Sequence, residues 1–307
     1  MNTQTALKAV SEPPSPWAGA LPERPGCLVA GAGAPVVMLH SSLSSKSQWS
    51  ALAARLVPRF RVIALDLCGY GDNAMPAARD SFTLDDEVRL VAGHLDRLVP
   101  PHVRVHLVGH SYGGLVALRF AQCSKGRVAS LSLYEPVAFR VLDNDDPGLR
   151  EVRRLAGCLP GLIAAGLRLQ AAQAFVDFWS GEGSYARLAR PVQVGIARNI
   201  GKVPLDFRAA MSGPMGPTDL RSIAAPTLLL SGNRSPAVAQ DIVARLTRVL
   251  PKHHVSRIDA GHMGPVTAPH LVNPWIEAFV DMCVERDTAR AAPRTVDTLA
   301  PFAFAAD

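Results

Sequence analysis

Short apolar runs alternate along this chain with longer stretches of helical periodicity. Runs that suit buried strands cover residues 35–40, 61–67, 103–108, 128–134, 226–232 and 254–258. Helices are predicted between them, including one that Thr83 opens as N-cap ahead of Asp85, Asp86 and Glu87. Strands that alternate with helices form βαβ units, so the pattern predicts an α/β fold with a mainly parallel sheet.

The alternation stops between residues 139 and 213, where no strand-like run occurs. Helical pieces are predicted there over residues 147–158, 162–179, 184–197 and 205–211. We therefore expect a helical insertion at 139–213 in a core formed by residues 28–138 and 214–285. Residues 1–27, rich in Pro, Ser and Ala, predict a loose N-terminal arm, and residues 286–307 predict a loose C-terminal tail.

A glycine-rich segment follows the predicted strand at 103–108. Residues 109–114 are Gly-His-Ser-Tyr-Gly-Gly, and an apolar helix is predicted directly after them. A G-x-S-x-G sequence between a strand and a helix is typical of a nucleophile elbow, a tight turn that exposes the serine hydroxyl. Gly109 and Gly113 would let the strand and helix approach closely, and the helix N-terminus favours an anion beside Ser111. A glycine-rich turn without chemistry is the alternative.

Composition narrows the classes of protein that remain. The chain has 307 residues, 48% of them hydrophobic, which is enough for one large α/β domain. No apolar run reaches the roughly 18 residues of a membrane helix, and the N-terminus lacks the features of a secretory signal. The five cysteines are widely spaced and include no C-x-x-C pair, so we expect reduced thiols, no metal site and a cytoplasmic protein.

The net charge of +6 raises the question of an acidic partner. The arginines are scattered, however, and the densest group is only Arg150, Arg153 and Arg154. No stripe of basic and aromatic residues accompanies them, as it would in a nucleic-acid-binding surface. We therefore expect a solvated basic surface and neither nucleic acid nor membrane as a partner.

With the elbow, the insertion and a late Gly261-His262 pair, the chain resembles the α/β-hydrolase superfamily over about residues 35–285. Further motifs that carry the resemblance are the loop after His40, the segment 66–71 (Asp-Leu-Cys-Gly-Tyr-Gly) and the strand at 226–232. The resemblance implies a parallel sheet flanked by helices, with residues 139–213 as a lid over Ser111. It does not identify a substrate, because one fold hosts many activities.

A serine nucleophile needs a base, since a free hydroxyl is weakly nucleophilic at neutral pH. The resemblance implies His262, which follows the last predicted strand. His110 is expected to face away from Ser111, and His40 ends a strand at the neighbouring loop. His253 and His254 are adjacent on a strand, so they point to opposite faces and cannot chelate one metal. A packing role for His262 remains open.

The third triad member departs from the commonest pattern of the superfamily. That pattern places an Asp in the loop at 232–236, where this chain has Ser235. A variation within the superfamily moves the acid to the end of the strand after the elbow helix, and Glu135 stands there, 24 residues after Ser111. Glu135 is therefore the expected acid. Alternatively it is a carboxylate that caps a helix or pairs with an arginine, and Asp259 is interpreted as a turn former.

The resemblance also implies two backbone donors for an oxyanion, the amides of Tyr112 and Ser42. Ser41 replaces the usual Gly in the second loop, which could otherwise be a simple surface linker. The residues expected to line an apolar substrate pocket are Phe139, Phe175, Phe178, Trp179 and Met263. The alternative for the aromatic set is a core within the insertion itself.

A serine at the elbow excludes the mechanisms of haloalkane dehalogenases and epoxide hydrolases, which use an Asp there. The sequence predicts a cofactor-free, metal-free carboxylesterase or lactonase that cleaves a small apolar ester through an acyl-enzyme. A carbon–carbon bond hydrolase, a thioesterase and a perhydrolase share the same machinery. A non-catalytic receptor or scaffold of the same fold is the alternative from a different class, and only the missing Asp at 235 favours it.

Overall fold

The computed structural model describes residues 26–291, and seven strands in this range form one sheet. They are β1 (Cys27–Ala30), β2 (Pro35–Leu39), β3 (Arg61–Leu65), β4 (Val105–His110), β5 (Val128–Tyr134), β6 (Thr227–Gly232) and β7 (His253–Ile258). Their order is β1-β3-β2-β4-β5-β6-β7, with β1 antiparallel to β3 and all other pairs parallel. The predicted α/β class and mainly parallel sheet are confirmed.

Helices cover both faces of the sheet. They are α1 (Ser50–Leu56), α2 (Leu84–Leu98), α3 (Tyr112–Cys123), α4 (Pro147–Ala164), α5 (Arg168–Ser180), α6 (Arg190–Asn199), α7 (Val203–Met211), α8 (Pro217–Leu220), α9 (Ala237–Val249), α10 (Gly264–Thr267) and α11 (Pro269–Ala291). Short 3-10 helices cover Lys46–Trp49, Phe139–Val141 and Ile200–Lys202.

The core lies in two layers because successive strand residues point to opposite faces. Val37 and Leu39 of β2 belong to the layer that contains α2, α3 and α9, whereas Val36 and Met38 belong to the layer with α1 and α11. All five residues of β2 are buried, as expected for a central parallel strand covered on both sides.

The segment from the 3-10 helix at Phe139 to Gly213 consists of helices joined by turns and contains no strand. We refer to residues 139–213 as the inserted segment. Its helices α4 to α7 follow β5 and precede α8 and β6, so the chain leaves the sheet at the carboxyl end of β5. In parallel sheets this edge carries the ligand-binding loops, and Ser111 lies at the same edge, after β4.

The two outer boundaries of the predicted core differ from the structure. Cys27 was assigned to the loose arm, yet it begins edge strand β1 and is buried against β3. The run Cys-Leu-Val-Ala is too short to show alternation. The predicted tail began at 286, yet α11 continues to Ala291, because no proline follows Pro274 before Pro293 and Asp287 pairs with Arg104 at 2.6 Å. Residues 1–25 and 292–307 lie outside the described residues.

Candidate active site

Ser111 lies on the tight turn between β4 and α3. Its φ of 54° is in the left-handed region, which is uncommon for a residue with a side chain. A Cβ on Gly109 would lie 2.6 Å from Cα of Gly114, and one on Gly113 would lie 2.4 Å from the carbonyl oxygens of Leu39 and His40. Both glycines are therefore required for the close approach of strand and helix, as the sequence predicted.

The structure brings Ser111, His262 and Glu135 together. His262 Nε2 lies 3.0 Å from Ser111 Oγ, and His262 Nδ1 lies 2.7 Å from Glu135 Oε2. All three residues are buried, with at most 7% of their surface exposed. Since the carboxylate accepts a hydrogen bond from Nδ1–H, Nε2 is left free to accept the serine proton.

The end of β6 fixes the carboxylate of Glu135. Its Oε1 accepts hydrogen bonds from the Gly232 N–H at 2.7 Å and from Ser231 Oγ at 3.1 Å. Each carboxylate oxygen thus has its own partner, Oε1 on β6 and Oε2 on His262. Glu135 has a φ of 43°, which turns the chain away from β5 directly after the strand.

Two other positions, 235 and 259, were considered for the acid, and neither side chain is hydrogen-bonded to His262 in the described part of the chain. Ser235 is buried, and its hydroxyl has no hydrogen-bond partner within residues 26–291. Asp259 is exposed and forms an ion pair with Arg234 at the surface. Neither residue contacts His262 through a hydrogen bond in the described part of the chain, whereas Glu135 does.

His110 was expected to face away from Ser111, and its side chain forms a hydrogen bond to the loop that carries His262. Its Nε2–H donates to the backbone carbonyl of His262 at 2.8 Å, and the two rings are 5.2 Å apart. Burial, together with the neighbouring His262, holds the pKa of His110 well below its usual value, so its ring is neutral. The contact with the loop after β7 was not predicted from the sequence.

His40 organises the loop that carries Ser42. Burial lowers the pKa of His40 to about 4, so its ring is neutral. Nδ1–H donates to the Ser41 carbonyl at 2.7 Å, while Nε2 accepts from the Leu67 N–H at 2.9 Å. The loop then passes through Leu43, whose φ of 61° is again left-handed.

A cavity of about 20 Å³ lies beside Ser111. It is lined by Ser42, Ser111, Tyr112, Val137, Phe139, Phe175, Trp179, Val203, Asp206, Phe207 and Ala210. The volume is roughly that of one water molecule. Helices of the inserted segment thus contribute most of the wall opposite Ser111.

Three of the five residues expected in the pocket line this cavity, namely Phe139, Phe175 and Trp179. Phe178 and Met263 do not. Phe178 precedes Trp179 on α5, points in a different direction around the helix and packs edge-on against the Trp179 ring at 5.1 Å. Met263 follows His262 as the N-cap of α10.

Trp179 stacks on the imidazole of His262. The ring centroids are 4.4 Å apart and the planes differ by 25°. The face of an indole ring is electron-rich, and here it covers one face of the imidazole. Trp179 also excludes water from this side of the ring, since only 5% of it is exposed.

The pocket wall contains one carboxylate that the sequence analysis did not identify. Asp206 on α7 accepts hydrogen bonds from Ser42 Oγ at 2.6 Å and from the Tyr70 hydroxyl at 2.5 Å. It also pairs with the buried Lys202, four residues earlier. Lys and Asp at this spacing on a helix usually form a surface pair, so only the tertiary structure reveals this arrangement.

A larger cavity lies at the opposite edge of the sheet. Its volume is about 810 Å³, and Val128 and Pro226 in its wall mark the amino ends of β5 and β6. It contains none of the candidate site residues. The candidate site residues therefore lie around the small cavity beside Ser111 and not around the larger one.

Residues 26–291 contain neither a metal-binding cluster nor a helix that could span a membrane. No group of three or more His, Cys, Asp or Glu side chains there could hold a metal ion. None of the described helices is both long enough and apolar enough to cross a membrane.

Comparisons with known proteins identify relatives of the chain. The sequence profile of the alpha/beta hydrolase family matches residues 36–275. A pimeloyl-[acyl-carrier protein] methyl ester esterase from Methylococcus capsulatus is 31% identical over 81% of this chain and 96% of its own length. A haloalkane dehalogenase from Agrobacterium fabrum is 34% identical, but the match spans 41% of this chain and only 40% of that protein.

A solved structure is similar over most of the chain. A thermophilic esterase from Thermogutta terrifontis, solved with malate bound, is 27% identical with a TM-score of 0.64, covering 84% of this chain and 93% of the esterase. The family profile covers more than three quarters of the 307 residues. This chain therefore belongs to the alpha/beta hydrolase family.

Proposed function

We propose that this protein is a serine hydrolase that cleaves a small, largely apolar carboxylic ester or lactone through an acyl-enzyme. The observation that carries the proposal is the chain of contacts from Ser111 Oγ through His262 to Glu135, at 3.0 Å and 2.7 Å. A nucleophile, a base and an orienting acid within hydrogen-bond distance are what nucleophilic acyl transfer requires.

The proposed reaction has two halves. Ser111 Oγ attacks the ester carbonyl while His262 Nε2 takes the serine proton, and the imidazolium then protonates the alcohol as the carbon–oxygen bond breaks. Water repeats the sequence on the acyl-enzyme and releases the acid. Glu135 keeps Nδ1–H in place and stabilises the imidazolium in both halves.

The developing oxyanion would be held by the backbone N–H groups of Tyr112 and Ser42. Tyr112 is the first residue of α3, so its N–H has no acceptor within that helix. Ser42 lines the same cavity from the other side. One such donor contributes about 3–4 kcal/mol to the stabilisation of the transition state in serine hydrolases.

The inserted segment would act as a lid. The cavity beside Ser111 has room for little more than one water, so an ester can enter only when α5 or α7 moves outward. Phe207 packs against both Phe139 and Phe175 at about 6 Å, and the three rings would give the opened pocket an apolar lining. This lining supports an apolar substrate.

A panel of nitrophenyl esters of graded acyl length tests the proposal. We expect saturable hydrolysis of short and medium chains by the wild type, and hydrolysis reduced by orders of magnitude in Ser111→Ala. A thioester of the same acyl group, run in parallel, separates an esterase from a thioesterase. No turnover of any ester by a folded wild-type protein would contradict the proposal.

The contact between Glu135 and His262 favours the enzyme over the non-catalytic alternative, which depended on the absence of an acid at position 235.

A further inference from the structure

A carboxylate of the inserted segment is hydrogen-bonded to the loop that carries the proposed oxyanion donor. Asp206 Oδ2 accepts from Ser42 Oγ, in the loop after β2, and from the hydroxyl of Tyr70, in the turn after β3. Burial, together with Asp206, holds the pKa of Tyr70 well above its usual value, so the phenol remains a donor. One oxygen atom thus joins α7 to two loops of the core.

The position of this carboxylate is fixed from behind. The ammonium group of Lys202 pairs with Asp206 and lies 3.0 Å from Glu87 Oε1, and neither the Lys202 nor the Glu87 side chain is exposed. Burial opposes the charge of Lys202, but Asp206 and Glu87 outweigh it and raise the lysine pKa above its usual value. Lys202 therefore stays charged, and a buried charge of this kind strongly resists losing a partner.

The loop that Asp206 holds has a strained backbone. Leu43, directly after Ser42, has a left-handed φ of 61°, a conformation that persists only where surrounding contacts enforce it. Two side chains hold the residues that precede Leu43. Gln48 accepts hydrogen bonds from the N–H and hydroxyl of Ser41. Asp206 accepts one from the hydroxyl of Ser42 at 2.6 Å, and this bond connects the loop to the inserted segment.

We propose that Asp206 is a positioning residue that holds the Ser42 amide in place as an oxyanion donor. The inference rests on the proposed function and deepens it. Because Asp206 belongs to the inserted segment and Ser42 to the core, outward movement of α7 breaks their bond. The oxyanion site is therefore complete only when the inserted segment is closed over Ser111.

Ser42→Ala tests this link because it removes the hydroxyl and keeps the backbone N–H. We expect kcat for the preferred nitrophenyl ester to fall about tenfold, with KM changed less than twofold, since the oxyanion donor acts mainly in the transition state. Inhibition by an alkyl trifluoromethyl ketone, whose adduct with Ser111 carries an oxyanion, should weaken by the same factor. Ser45→Ala, in the same loop but with an exposed hydroxyl bond to Ser47, should match the wild type.

Asp206→Asn and the double variant Ser42→Ala/Asp206→Asn complete a double-mutant cycle. If Asp206 acts through Ser42, the double variant is about as slow as the slower single variant. Ser42→Ala leaves Lys202 paired with both carboxylates, so it tests the link even where Asp206→Asn fails to fold. Wild-type kcat and ketone affinity in Ser42→Ala, or effects that multiply in the double variant, would overturn the inference.

The same measurements separate this inference from the function on which it rests. An active wild type with an unaffected Ser42→Ala variant refutes the positioning role alone. A folded wild type that neither hydrolyses any ester nor binds the ketone refutes the proposed function, and the positioning role with it.

Discussion

Glu135 Oε2 lies 2.7 Å from Nδ1 of His262, although the two residues are 127 positions apart in the chain. Glu135 lies directly after β5, and His262 lies in the loop after β7. Strand β6 lies between β5 and β7 in the sheet. The backbone N–H of Gly232 at the end of β6 holds the other carboxylate oxygen. Strand β6 thus orients the carboxylate of Glu135, although the loop that follows β6 at residues 232–236 contains no acidic residue.

Glu135→Gln should reduce kcat steeply, by up to about 10⁴-fold, because the amide cannot stabilise the imidazolium or enforce its tautomer. Ester hydrolysis measures the effect, and circular dichroism with thermal unfolding checks that the variant is folded. A kcat within threefold of the wild type would show that Glu135 is structural.

Ser235→Asp offers an independent test of the same assignment. In the wild type it should change kcat little, because Glu135 already binds His262. In the Glu135→Gln background it should restore part of the lost activity, since the commonest pattern of the superfamily places the acid in this loop after β6. The control is Ser235→Asn in that background, which should restore nothing. Equal activity of Glu135→Gln/Ser235→Asp and Glu135→Gln/Ser235→Asn would contradict the expected rescue by a carboxylate at position 235.

Trp179→Leu should lower kcat about 5- to 30-fold, the equivalent of the 1–2 kcal/mol that a ring face contributes to a buried cation. Trp179→Phe keeps an aromatic face over His262 and should lose less. Trp275→Leu is the matched control, because Trp275 is 47% exposed and lies on α11. If Phe and Leu at position 179 are equally slow, the stack at 4.4 Å contributes through its volume and not through its ring face.

His106 should make folding stability depend on pH. Burial lowers its pKa to about 4 from 6.5, so the unfolded chain binds the proton more tightly. The contribution of this group is complete above about pH 6.5 and is lost as the pH falls toward 4. At about 1.4 kcal/mol per pKa unit, the loss between pH 7.5 and pH 4.5 is about 2 kcal/mol.

Urea unfolding of the wild type and of His106→Gln at both pH values measures this difference. Gln retains a polar group toward Ser130, which lies 2.8 Å from His106 Nδ1, but it does not titrate. The free energy of unfolding should therefore fall less with acid in the variant. Identical pH dependence in the two proteins would exclude His106 as the source.

Local sequence patterns were sufficient to predict most of the sheet and the positions of Ser111 and Glu135. The run at 128–134 is rich in apolar residues and became β5 with the predicted bounds. Glu135 could be placed because the carboxyl ends of parallel strands share one edge of the sheet. The catalytic roles of these residues remain predictions.

The features that sequence missed depend on contacts between distant segments. The four residues of β1 form a strand only because β3 offers an edge to pair with. His110 contacts a loop 152 residues later, and Asp206 contacts Ser42 across 164 residues. No periodicity or motif marks such pairs. Trp179 was expected near the substrate, but nothing in its helix indicated that it would stack on the base.

The most direct test of the account is the site of covalent labelling by a fluorophosphonate. The reagent should label the wild type with one equivalent per chain, and peptide mass spectrometry should locate the phosphonate on Ser111. His262→Ala should label far more slowly, and Ser111→Ala should not label at all. Labelling of Ser111→Ala equal to that of the wild type, or a label on another residue, would contradict the assignment of Ser111 as the nucleophile.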